Sequence, residues 1–160
     1  MWQALRALDT TRPVFVESES KKIGRLQLPD ALVQRMHSHG QVLRVEMPDA
    51  ARVQLLLEDY GFFAQDTERF CSLLDGLIIL RGRETVGQWQ ALARNGQWAD
   101  VFGQMMLQHY DPLYGRSMGS HFQGLSDADR VALADGGAVA MQAAAQGLVA
   151  GLVVGPQALA

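Results

Sequence analysis

The sequence predicts an α/β fold, a short parallel sheet followed by a mostly helical C-terminal half. Three patterns predict it. Val14, Phe15 and Val16 form an apolar run directly after Pro13, the signature of a buried strand, and residues 41–47 (QVLRVEM) alternate well enough for a second. A Pro-Asp-Ala tripeptide opens a helix at Pro29 and again at Pro48. From Asp66 onward, apolar residues recur at helical spacing.

Each element has its local reason. Trp2, Leu5 and Leu8 are spaced like one helix face, and that helix runs straight into the strand at Val14. After the strand, Ser20, Lys21, Lys22 and Gly24 make a polar, basic turn. The helix opened at Pro29 sets Leu32, Val33 and Met36 on one side and closes at Gly40. The helix opened at Pro48 carries Val53, Leu56, Leu57 and Tyr60 and stops at Gly61. Aspartate after each proline suits the positive end of the helix dipole. Two strands joined through a helix read as a parallel unit, and a thin one, because parallel strands prefer neighbours on each side and both faces covered.

In the second half, Phe70, Leu73, Leu74 and Leu77 define one helix face. Gly82 interrupts it, residues 84–94 start the next helix with Trp89 and Leu92 inward, and residues 97–108 carry Trp98, Val101, Phe102 and Met105 as core. Asp111 precedes Pro112, so the helix is expected to end there with extended backbone. No charged residue follows Asp135. Small residues, Gln142, Gln146 and Pro156 argue against a membrane span in this tail. The expectation is a helix packed on the domain and opened by Ser126 with Asp129 three residues on. Residues 1–160 read as one domain.

Composition narrows the function. A net charge of −3 argues against a generally basic nucleic-acid surface, so any such contact is local. The single cysteine, Cys71, excludes an internal disulfide and fits a reducing cytoplasm. Its apolar helical setting makes it a buried structural thiol. The N-terminus lacks the apolar core of a signal peptide. His37, His39, His109 and His121 have no metal-ligand spacing, and no metal site is expected.

Two places carry chemistry. In open α/β sheets ligands sit beyond the carboxyl ends of strands. Glu17, Glu19, Ser20, Lys21, Lys22 and Gly24 stand there, suited to a diphosphate or nucleotide held directly or through magnesium. A solvated loop is the plain alternative. Arg81 and Arg83 flank Gly82 and join this ligand set by analogy with the arginine-bearing lids of phosphoryl-transfer enzymes; a solvated turn explains them equally. The second place is a polar wall of His109, Tyr110, Asp111, Tyr114 and Arg116. Histidine exchanges protons near neutral pH and arginine grips phosphate with a fork. Packing tyrosines and a turn-capping aspartate are the alternative.

The string of residues 17–24, ESESKKIG, resembles a segment of the tRNA 2-selenouridine synthases, where a strand ends in E-S-E-S-basic-K-I-G. HYDPLY at residues 109–114, followed by Arg116 and Ser117, resembles that family's histidine-tyrosine-aspartate-proline run. Arg83-Glu84-Thr85 leading to Trp89-Gln90-Ala91-Leu92-Ala93 is a weaker likeness, and the three span about residues 12–135. The resemblance implies a partial P-loop-NTPase-like domain of a bacterial enzyme. That enzyme replaces sulfur by selenium in wobble 2-thiouridine of tRNA through an S-geranylated intermediate, with geranyl diphosphate and selenophosphate as substrates and magnesium as their counter-ion. No further cofactor is required by the sequence. It also implies tRNA as partner and a rhodanese-like domain, in cis or in trans, bearing an active cysteine. Within these 160 residues there is neither a G-x-x-x-x-G-K-[ST] phosphate loop nor a rhodanese-like cysteine loop. The expectation is therefore a truncated piece of the enzyme. A non-catalytic remnant or interaction domain and a nucleotide kinase-like domain are the alternatives.

Overall fold

The computed structural model describes residues 2–17, 21–122 and 125–154. They fall into two compact units, Met1–Gly40 and Gln41–Ala160.

The first unit holds a short helix α1 (Trp2–Arg6), a hairpin of β1 (Lys22–Ile23) and β2 (Leu26–Gln27), and helix α2 (Asp30–His39). Lys22 pairs with Gln27 and Ile23 with Leu26, antiparallel. Gly24 at φ +59° is the first of two turn residues between them, where a II′ hairpin turn requires a left-handed backbone. Pro29 precedes the first residue of α2 and Gly40 follows its last, as the sequence predicts.

The strand expected at residues 14–16 is absent. That stretch is irregular, and Val14, Phe15 and Val16 are 49%, 58% and 60% exposed. β-propensity is a property of side chains packed against cross-strand neighbours, and no described residue pairs with this run. An apolar run without a ladder partner does not make a strand.

The second unit begins with β3 (Leu43–Glu46) and α3 (Asp49–Tyr60), both close to expectation. The parallel partner of β3 is β4 (Asp129–Ala132), with Leu43 opposite Asp129 and Glu46 opposite Ala132. The sequence placed a helix start at Ser126; a 3-10 turn (Leu125–Asp127) and this strand occupy the place instead. Their local signals are the same polar residues that cap helices, and the sheet edge offered by β3 decides between the two. Gly136 follows close against Leu55, whose side chain occupies the space a Cβ would need.

Between the two strands lies the helical body. A 3-10 turn (Gly61–Gln65) leads to α4 (Thr67–Asp75), α5 (Ile78–Arg81), α6 (Arg83–Arg94) and α7 (Trp98–Met105). Asp66 caps α4 by accepting from the Arg69 N–H. The core is Phe70, Cys71, Leu74, Val86, Trp89, Ala93, Val101 and Phe102, with Leu56, Leu57 and Phe63 packed on it. Phe70 meets Trp98 edge-on with centroids 5.2 Å apart and Phe63 at 5.0 Å. The face of α4 is turned slightly from its sequence reading: Cys71 is buried and Leu73 is 57% exposed.

The chain does not break at Asp111-Pro112. α7 passes into a π-turn (Met106–Tyr110) and then α8 (Asp111–His121), with the Asp111 N–H bonded to the Met106 carbonyl five residues back. Proline lacks an N–H and crowds the preceding turn. The wider π-turn accommodates the ring, and Pro112 sits in the first turn of α8, where a missing donor costs least.

The last helix, α9 (Ala138–Val154), has Ala140, Ala144 and Leu148 half-buried on one face and leaves its larger apolar side chains elsewhere exposed. Val139, Met141 and Val149 are 84%, 44% and 57% exposed. No helix among the described residues is long and apolar enough to cross a membrane.

Candidate functional site

The strand-end site is only partly assembled. Glu17 is exposed, and Glu19 and Ser20 lie outside the described residues. Lys21 donates to Asp30 at 2.9 Å in an exposed ion pair that ties the hairpin to the first turn of α2. Lys22 is exposed in β1, and Gly24 is in the turn after it. Glu17 is the one described carboxylate of the two expected near magnesium.

The second site is better built, and part of it was invisible in the sequence. α3 contributes Arg52, α5 contributes Arg81, the π-turn contributes His109 and Tyr110, and α8 contributes Asp111 and Tyr114. Arg52 grips Asp111 with both terminal nitrogens, at 2.9 and 2.5 Å, and also reaches Asp49 at 3.2 Å. The hydrogen bond from Arg52 to Asp111 raises the guanidinium further above its usual range, against the opposing effect of burial. Arg52 was missed because its only sequence signal is the local i, i+3 spacing to Asp49; its main partner is 59 residues away.

Arg81, read from sequence as part of the first site, belongs to the second. Its Nε–H donates to Nδ1 of His109 at 2.9 Å, and a terminal N–H donates to the His109 carbonyl at 3.2 Å. Arginine cannot accept, so Nδ1 is the acceptor and the neutral ring carries its proton on Nε2. Burial, and then the Arg81 charge, push the His109 pKa below its ordinary value. Gly82 follows at φ +83° and ψ 158°, a conformation open essentially to glycine alone.

Tyr110 and Tyr114 stack at 5.6 Å with ring planes 14° apart, as residues four apart on continuous helix should. Arg116 is exposed two positions beyond Tyr114, a spacing that does not share its face. Arg83 is exposed in the first turn of α6. Cys71 is buried, and burial pushes its thiol pKa up, which suits a packing role.

A mostly helical body with a short parallel sheet is consistent with a partial α/β, NTPase-like domain. Residues 1–75 match the family model of the tRNA 2-selenouridine synthase AAA domain, so that stretch is similar to this domain. The match contains the whole of residues 17–24 and stops short of Arg81, Arg83 and residues 109–116. No curated protein matches the chain, and no solved structure does.

Proposed function

We propose that this chain is the P-loop-NTPase-like part of a tRNA 2-selenouridine synthase. In this reading the enzyme exchanges sulfur for selenium in wobble 2-thiouridine, in the cytoplasm, through an S-geranylated intermediate. The sulfur takes the geranyl group from geranyl diphosphate and diphosphate leaves; selenium of selenophosphate then displaces the geranyl thiol at the uridine carbon, and water cleaves the P–Se bond to release phosphate. The observation that carries the reading is the family match over residues 1–75, with ESESKKIG inside it. Lys21, Lys22 and the Gly24 turn are the cationic, close-approach groups for the leaving diphosphate, and Glu17 and Glu19 are the carboxylates for its counter-ion. The active cysteine comes from a rhodanese-like domain, in cis or in trans, because Cys71 is buried.

A non-catalytic interaction domain is the second reading, favoured by the exposed apolar run at residues 14–16. One experiment separates the two. The gene is deleted in its host and tRNA nucleosides are measured by mass spectrometry. The synthase reading expects selenouridine and geranylated thiouridine to vanish, and Lys21→Ala with Lys22→Ala in the complete gene to restore neither. Unchanged nucleosides in the deletion strain would leave only the interaction domain.

A further inference from the structure

Charge divides unevenly between the two units. Residues 1–40 carry six arginines and lysines against four carboxylates, a net charge of +2; residues 41–160 carry eight against thirteen, a net charge of −5. A concentration of cations within a chain that is acidic overall marks a surface for a polyanion. The β1–β2 hairpin gathers three of the six. Lys21, Lys22 and Arg25 fall within residues 21–25, all three exposed, and no carboxylate interrupts them. The two-pair ladder and the bond from the Leu28 N–H to the Lys21 carbonyl, at 2.7 Å, hold that segment in one shape. Lys22 and Arg25 are three residues apart along it and so lie within about 11 Å of each other. That is close to the screening length of about 8–10 Å in ordinary salt, so their potentials reinforce. Lys21 is held by Asp30 in a pair whose side chains are 51% and 81% exposed, a pair worth little in water that yields readily to a phosphate.

We infer that the β1–β2 hairpin is a docking surface for the sugar–phosphate backbone of an RNA, with Arg25 and Lys22 as its phosphate contacts and Lys21 recruited from Asp30. Such a contact needs no cavity. Phosphate oxygens line the outside of a nucleic acid, and exposed cationic donors on an ordered loop meet them without reading any base. The net negative charge of residues 41–160 repels phosphate and confines the contact to the basic unit. RNA is the polyanion favoured here because residues 1–40 lie wholly inside the stretch that is similar to a tRNA-modifying domain, and to that extent the inference rests on the proposed function. Arg25 takes no part in the diphosphate site proposed above, so its contribution to RNA affinity is separable from the chemistry.

The test is the salt dependence of binding between the full chain and an unmodified tRNA transcript, followed by fluorescence anisotropy. Each phosphate neutralised adds about 0.7–0.9 to the slope of log affinity against log salt. Arg25→Ala is expected to flatten that slope by about one contact and to weaken binding equally for transcripts of different sequence. Asp30→Asn is expected to tighten binding about two- to fivefold by releasing Lys21. Arg69→Ala, which removes an exposed cation of α4 from the acidic unit, is expected to leave the slope unchanged. Arg25 is an exposed turn residue, so its replacement leaves the fold intact. No binding at low salt, an unaltered slope for Arg25→Ala, no gain for Asp30→Asn or an equal change for Arg69→Ala would each overturn the inference. Binding to phosphatidylglycerol vesicles without binding to the transcript would do the same. The result is distinct from that of the deletion experiment. RNA binding through Arg25 with unchanged nucleosides would sink the synthase reading alone; lost selenouridine without such binding would sink this inference alone.

Discussion

Trp89 is fully buried, and its indole N–H has no hydrogen-bond partner among the described residues. Truncation to alanine should cost about 3–5 kcal/mol through the cavity it leaves. Trp89→Phe should cost clearly less, because an unsatisfied buried donor worth about 1–3 kcal/mol is removed along with the lost area. Urea unfolding of both variants tests this, and equal losses would show that the indole N–H is satisfied after all. Cys71 has its thiol pKa raised by burial, so labelling by a thiol reagent should be slow in the native protein and fast in urea. Rapid native labelling would show that the helix pair around it opens. The apolar context of Cys71 made its burial legible from sequence. The outward turn of Leu73 was not, because Phe70, Leu73 and Leu74 all satisfy helical spacing and only the neighbouring helices select among them.

At the scale of elements, glycine and proline punctuate the chain with unequal clarity. Gly82 separates α5 from α6 in a backbone region that a Cβ strains, so Gly82→Ala should destabilise by about 1–3 kcal/mol. Nothing lies within 4 Å of a Cβ built there, so the loss would be conformational rather than steric crowding by neighbours. Thermal unfolding checks it, and an unchanged midpoint would mean that the α5–α6 junction relaxes freely. Pro29 and Pro48 mark helix starts as the sequence predicts, whereas Pro112 does not mark a helix end. The π-turn before it admits the ring without breaking the axis, and the Arg52–Asp111 pair fastens the same turn to α3. Both side chains of that pair are about one-third exposed, at 30% and 32%. A double-mutant cycle with Arg52→Ala and Asp111→Ala should give a coupling of about 1–2 kcal/mol, between exposed and buried pairs. Additive losses would show that the two residues do not hold each other in solution.

For the molecule as a whole, His109 couples folding to pH. His109 has a folded pKa below its ordinary 6.5, so the unfolded chain binds its proton more readily. The stability this group contributes is full above pH 6.5 and is lost as pH falls from there through the lower folded value. Unfolding free energy should therefore rise with pH across that window, and His109→Gln should flatten the slope. A slope unaltered by the substitution would assign the dependence to other groups. The long α9 adds apolar surface without adding core: it carries no charge, and Val139 and Val149 stay exposed.

The sequence by itself determined the helices from α2 to α7 but not α8, because amphipathic spacing, Pro-Asp openings and glycine stops are local signals that a chain carries wherever it folds. Residues 17–24 also carry the resemblance to the family whose model residues 1–75 match. Only the tertiary structure decided which strand β3 pairs with, because a ladder depends on a partner distant in sequence. The same is true of the second site. Arg81 and His109 were each visible as polar residues, but their contact spans 28 positions and no local pattern encodes it. Propensity is written within one turn or one strand; hydrogen-bond partners and counter-charges are settled by which elements the core brings side by side.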